Sequence, residues 1–256
     1  MKLSMSGWKT HPVYTRVAVA GLMLFALVMF VFSIVTLING DPVGLGIFII
    51  FAVLSVIFAG LVWRFGRWAL VLAALWGFLN LFWGSLLGYP NSFFDFVLPL
   101  LLTVGALLAV VGAMVAFVQQ RRGTERTAAT RVERRAFAAT AVALLVLVIL
   151  SGSLHVAGLT SVSAEAEAGA IVVEMKRSYL APDRLEIRAG ETARIVVKNN
   201  DLFVHTFEID ELGVKHTVLP FSELLIELRP VNTGEFTYES RAPMTGDMEG
   251  TLVVTP

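Results

Sequence analysis

From Val17 to Ile38 the chain runs without a single charge, and no other feature narrows its possible folds as much. About 20 apolar residues, at roughly 1.5 Å of helical rise each, cross a hydrocarbon layer, and inside lipid a lone segment satisfies its backbone groups only as a helix. The run is too long for a secretory signal, and Asn39-Gly40-Asp41-Pro42 after it offers no small-x-small cleavage site. The same character returns at Val43–Trp63, Trp68–Leu87, Val97–Val118 and Ala136–Ala157, so residues 1–157 are predicted to form a domain of five transmembrane helices. With 56% hydrophobic and 16% charged residues, the whole chain has the balance of a membrane protein. Gly105, Ala109 and Ala113 recur at four-residue spacing, a pattern that lets helix backbones approach closely.

Charge sets the expected orientation. Lys2, Lys9, Arg16, Arg64 and Arg67 fall on one side with Arg121, Arg122, Arg126, Arg131, Arg134 and Arg135, while the stretches 39–42 and 88–96 contain no Lys or Arg. The positive-inside rule then puts the N-terminus in the cytoplasm and the C-terminal region outside it. No Asp, Glu, Lys or Arg lies within the middle of a span, which argues against ion- or proton-coupled transport, where such groups do the work. A formal net charge of zero, with no clustered basic face, gives no footprint for nucleic acid. There is neither a nucleophile-base-orienter set nor a glycine-rich phosphate loop, so no enzyme activity is expected. The chain has no cysteine. That excludes disulfides, thiolate nucleophiles, iron–sulfur centres and thiolate-bound copper.

Residues 158–170, GLTSVSAEAEAGA, are small, polar and free of aromatics. They are expected to form a flexible linker, and their Ala-x-Ala pieces resemble a processing site. From Ile171 onward the pattern changes to short alternating runs broken by turns: IVVEMK, RLEIR, TARIVVKN, HTFEID, KHTVL, ELLIEL, GEFTYE and GTLVV. Eight such runs predict an antiparallel all-β sandwich over 171–256.

Two stretches of this region carry a family likeness. Asn199–Phe207, NNDLFVHTF, resembles the cupredoxin segment in which an Asn-Asn turn leads to the first copper-ligating histidine. Glu211–Val214, ELGV, resembles the version in the copper domain of cytochrome oxidase subunit II. FTYES, then Met244, then MEGTLVV resembles the strand and loop that hold a cysteine, a histidine and a methionine in cupredoxins. The resemblance spans about the last 85 residues and implies a cupredoxin-like Greek-key sandwich with a copper site. Carried over position by position, His205 falls on the first histidine ligand and Met248 on the axial methionine. Glu239 or Ser240 falls on the cysteine, and Met244 falls near the second histidine.

The expected metal set is therefore His205, Met244 and Met248, with Glu239 as an oxygen donor for an oxidised ion. Thioethers favour Cu(I), and without thiolate such a site is not blue and suits holding or passing copper. The implied role is copper handling, or delivery to a membrane enzyme. The alternative is a metal-free module that binds a partner within a membrane protein complex; electron transfer ranks last for want of cysteine. Beyond copper and such a complex, the expected partner is the lipid bilayer. His155 is expected at the outer end of the fifth span, and His216 on the surface.

Overall fold

The computed structural model describes residues 10–39, 42–82, 88–90, 92–176, 179–242 and 246–256. Two compact units emerge, one of Met1–Leu87 with Val97–Leu147 and one of Gly88–Phe96 with Val148–Pro256.

The helices are α1 (Val13–Asn39), α2 (Pro42–Phe65), α3 (Arg67–Leu79), α4 (Phe93–Arg122) and α5 (Arg131–Gly158). Among the described residues, four stretches are long and apolar enough to cross a membrane: Val13–Leu37, Pro42–Phe65, Phe93–Arg122 and Arg131–Gly158. Of the third expected span, Trp68–Leu87, the described apolar helix covers Arg67–Phe82, and residues 83–87 lie outside the described residues. The regular α-turns of α3 end where Asn80 caps them, its Nδ2 donating to Trp76 O at 2.7 Å.

Small residues bring α1 and α4 together. A Cβ added at Gly21 would lie 2.5 Å from the backbone N of Ala109, and one at Gly112 would lie 2.5 Å from that of Ala18. Gly105 meets Gly21 O in the same contact, so the four-residue spacing of small side chains serves backbone approach, as its sequence suggests. Trp76 Nε1 donates to Ser55 Oγ at 2.9 Å and ties α3 to α2.

The second unit holds nine strands: β1 (Ile171–Lys176), β2 (Tyr179–Ala181), β3 (Arg184–Arg188), β4 (Ala193–Asn199), β5 (His205–Ile209), β6 (Val214–Val218), β7 (Glu223–Leu228), β8 (Gly234–Ala242) and β9 (Gly246–Thr255). They form two sheets, ordered β2-β1-β4-β7 and β3-β9-β8-β5-β6. The sandwich is mixed where a purely antiparallel one was expected: β1 runs parallel to β4, and β3 parallel to β9. Period-two alternation is the same for both senses, so a strand's own residues do not reveal its neighbour's direction.

Val173, Met175, Leu185, Ile195, Val197, Phe207, Ile209, Tyr238 and Leu252 fill the space between the sheets. Tyr238 is the largest of them, fully buried, with its hydroxyl donating to Pro182 O. Its cross-strand partner is Gly250. A Cβ there would stand 2.2 Å from the phenol ring, so the tyrosine lies in space that only glycine leaves open.

Residues 158–170, expected as a flexible linker, are folded onto the sandwich. Glu223 N–H donates to Thr160 O at 2.9 Å, Thr160 Oγ1 to Glu223 O at 2.7 Å, and Val162 N–H to the Glu223 carboxylate at 3.0 Å. A short helix, α6 (Ala164–Glu167), follows, capped by Ser163. Lys198 bridges Glu167 at 2.7 Å and Glu223 at 3.3 Å. The small residues that suggested flexibility here permit close docking; the groups that fix them belong to β4 and β7, far along the chain.

Candidate functional site

The polar turn before β5 is built by Asn199. Its Nδ2 donates to Phe203 O at 2.8 Å and Val218 O at 2.9 Å, and its Oδ1 accepts from Asp201 N–H at 2.9 Å. Asp201 Oδ1 in turn accepts from Leu202 N–H at 2.6 Å. Three of these bonds are local and close the NND stretch on itself, while the fourth ties it to the end of β6, and together they deliver His205 to the start of a central strand.

His205 is fully buried. Its Nδ1 lies 3.1 Å from Ser240 Oγ and its Nε2 lies 3.2 Å from Asp201 Oδ2. In the tautomer that carries its proton on Nε2, the ring donates to the Asp201 carboxylate. In that tautomer Nδ1 keeps its lone pair and accepts the Ser240 hydroxyl.

A second buried carboxylate stands one residue away. Asp95, 4% exposed, accepts at Oδ2 from Val204 N–H at 3.0 Å and from Ser92 Oγ at 2.5 Å. Gly88 N–H donates to Asp95 O, in the first turn of α4, at 2.9 Å. Ser92 and Asp95 are thus tied through the Val204 backbone to the buried set of Asp201, His205 and Ser240. Such clusters stabilise a unique packing when every member is paired.

Of the expected metal set, the structure brings His205 and Met248 onto one side of the sheet. Met248 pairs in register with Ser240, the residue that faces the imidazole, and its side chain is 3% exposed within the apolar core. Met244 lies outside the described residues. Glu239, expected beside His205, is turned to the other face, because neighbouring strand residues alternate and Ser240 takes the inward place. It pairs with Glu208 and gathers with Asp210 there, the three carboxylates within 4.8 Å of one another. Glu208 is ion-paired to Lys215 at 2.9 Å. His216 is exposed on β6. His155 is 9% exposed, edge-on to Phe94 at 6.2 Å between ring centroids.

The groups at the His205 ring are therefore the Ser240 hydroxyl on one nitrogen and the Asp201 carboxylate on the other, with Met248 in register beside Ser240. This set does not fit thiolate-bound copper. At the position where the resemblance calls for cysteine, Ser240 places a hydroxyl 3.1 Å from Nδ1, the ring nitrogen turned away from Asp201. Asp95 escaped the sequence reading, although a signal exists: it is the lone acid between Asp41 and Glu125. Asp201 was visible only as a turn residue, yet it sits four positions before the histidine it holds.

A family model described as "Cupredoxin-like domain" matches residues 140–254, under half of the chain. The comparison with curated proteins gives no match. Among solved structures, the metal binding domain of the Streptococcus pneumoniae D39 Cu(I) exporting P-type ATPase CopA is similar at 16% identity, with 38% of this chain and 93% of that chain covered and a TM-score of 0.30. The periplasmic domain of subunit II of cytochrome oxidase from Bradyrhizobium japonicum is similar at 15% identity, with 34% and 83% covered and a TM-score of 0.29. Auracyanin from Roseiflexus castenholzii is similar at 12% identity, with 34% and 98% covered and a TM-score of 0.28. Residues 140–254 are a cupredoxin-like domain, preceded in the chain by apolar helices.

Proposed function

We propose that the chain is a membrane-anchored protein whose extracytoplasmic cupredoxin-like domain works without a metal, as an interaction or assembly module of a membrane complex. The observation that carries this reading is His205, buried to 0% exposure with Ser240 and Asp201 at its two ring nitrogens. A fold adopted from a metal-binding family does not bring the family's site with it.

The sidedness rests on charge. Residues 88–96 pack in the same compact unit as the β-domain and carry no Lys or Arg, whereas Arg64 and Arg67 belong with the arginines of 121–135. Placing those basic groups together in the cytoplasm requires α3 to cross as a fifth span. The described apolar stretch that contains it, Arg67–Phe82, reaches roughly 24 Å at about 1.5 Å per residue.

Copper handling through His205, Met244 and Met248 is the second reading. One observation favours it: Asp201 holds Nε2 as an outer carboxylate holds a metal-bound imidazole, with Met248 in register beside Ser240. Titrating the full chain in detergent with Cu(I), against a chromogenic Cu(I) chelator, separates the two. The metal-free reading expects no stoichiometric binding. Binding of one equivalent, lost in both His205→Gln and Met248→Leu, would replace it with the copper reading. The assembly role expects the chain to leave its own membrane, under mild solubilisation, in a larger complex of fixed stoichiometry by native mass spectrometry. Release as a lone chain counts against it.

A further inference from the structure

The turn Leu219–Ser222, between β6 and β7, is closed by Ser222 N–H donating to Leu219 O at 3.1 Å. Pro220 occupies its second position and Phe221 its third, with φ of +58°. That is the arrangement of a type II turn, whose third position glycine ordinarily fills. A bulky residue there is an outlier that costs about 1–3 kcal/mol. The ring is nevertheless 57% exposed, so burial in the domain does not offset the strain.

The surroundings of Phe221 within this unit belong to segments that meet lipid. Its ring stands edge-on to Phe94, 6.5 Å between centroids, in the first turn of α4. Next to it, Leu219 packs on Gly158, the last residue of α5, where an added Cβ would meet Leu219 Cδ1 at 2.7 Å. Both helices are long and apolar enough to cross a membrane. Around this junction Val156, Leu159 and Tyr89 are exposed at 67%, 42% and 38%. Exposed Trp, Phe and Leu side chains bury at the boundary between headgroups and acyl chains.

We infer that Phe221 is a lipid-facing anchor, inserted into the outer boundary of the bilayer so that the β-domain is held to the membrane surface by this turn as well as by its helix. The inference rests on the membrane-anchored reading, and one experiment tells the failure of each apart. The chain has no cysteine, so Phe221→Cys, Leu145→Cys and Lys215→Cys each create a single site for a nitroxide label. The labelled full-length chains are reconstituted into phosphatidylcholine vesicles, and collision with oxygen is compared with collision with a water-soluble nickel complex. At residue 145, on the exposed face of α5, oxygen should dominate; at residue 215, on β6, nickel should dominate by tenfold or more. Residue 221 is expected to follow 145, with nickel access at least severalfold below that of 215. If 145 reports water, the anchored reading fails, and this inference with it. If 145 reports lipid while 221 matches 215, the anchor is overturned and the patch is left to a protein partner.

Discussion

Removing the imidazole of His205 is the sharpest perturbation of the polar cluster. His205→Ala leaves the Ser240 hydroxyl and the Asp201 carboxylate, exposed at 0% and 2%, without the partner between them. A buried polar group that loses a hydrogen bond costs about 1–3 kcal/mol, more when charged, so the two lost bonds together are expected to cost about 2–5 kcal/mol. At about 1.4 kcal/mol per factor of ten, the β-domain should open roughly thirty to a few thousand times more often. Native-state hydrogen exchange on the full chain, read at the amides of β5 and β8, measures this directly in metal-free buffer. Ser240→Ala alone should cost less, and the double variant should fall short of the sum by about 0.5–3 kcal/mol, because the two share one bond. A loss below about 0.5 kcal/mol without metal, or one that appears only when copper is supplied, would refute the reasoning; the former value is what an unconnected surface change produces.

Two further outcomes follow from the packing. Val162 N–H, donating to Glu223, holds that carboxyl below the usual glutamate range. A depressed folded value gives stability that is complete above the unfolded value, near ~4.3, and is lost as pH falls through the folded one. Protease cleavage within 158–170 should therefore rise on acidification through that window, and a flat profile contradicts the docking of this segment. In the helical unit, Gly112→Val should lower the thermal stability of the solubilised chain by about 1–3 kcal/mol or more, because its Cβ meets backbone. Gly60→Ala, with nothing within 4 Å of its Cβ, is the control and should be neutral or slightly stabilising.

Much of the architecture was legible in advance because it follows from local pattern. Charge-free runs mark helices without reference to partners, and alternation from Ile171 marks strands. What could not be read depends on groups distant in the chain. The parallel pairing of β1 with β4 leaves no trace in either strand, and Lys198 gives residues 158–170 their ion pairs from β4. At the site, NNDLFVHTF placed His205 correctly at the start of a buried strand. Whether Glu239 or Ser240 faced it depended on the register of β8 against β5, which the residues alone left open between neighbours. Asp95 was the furthest from reach: it stands 110 positions from His205, and only the folded unit brings its carboxylate to the adjacent Val204 amide.

The state of the His205 ring decides between a hydrogen-bonded hub and a ligand. With only four histidines in the chain, nitrogen-15 labelling of histidine in the reconstituted protein, with His205→Gln to assign the signal, resolves both ring nitrogens. The account predicts a neutral ring with the proton on Nε2, and signals that do not move on adding one equivalent of Ag(I) as a stable stand-in for Cu(I). A shift of Nδ1 with silver–nitrogen coupling would contradict it.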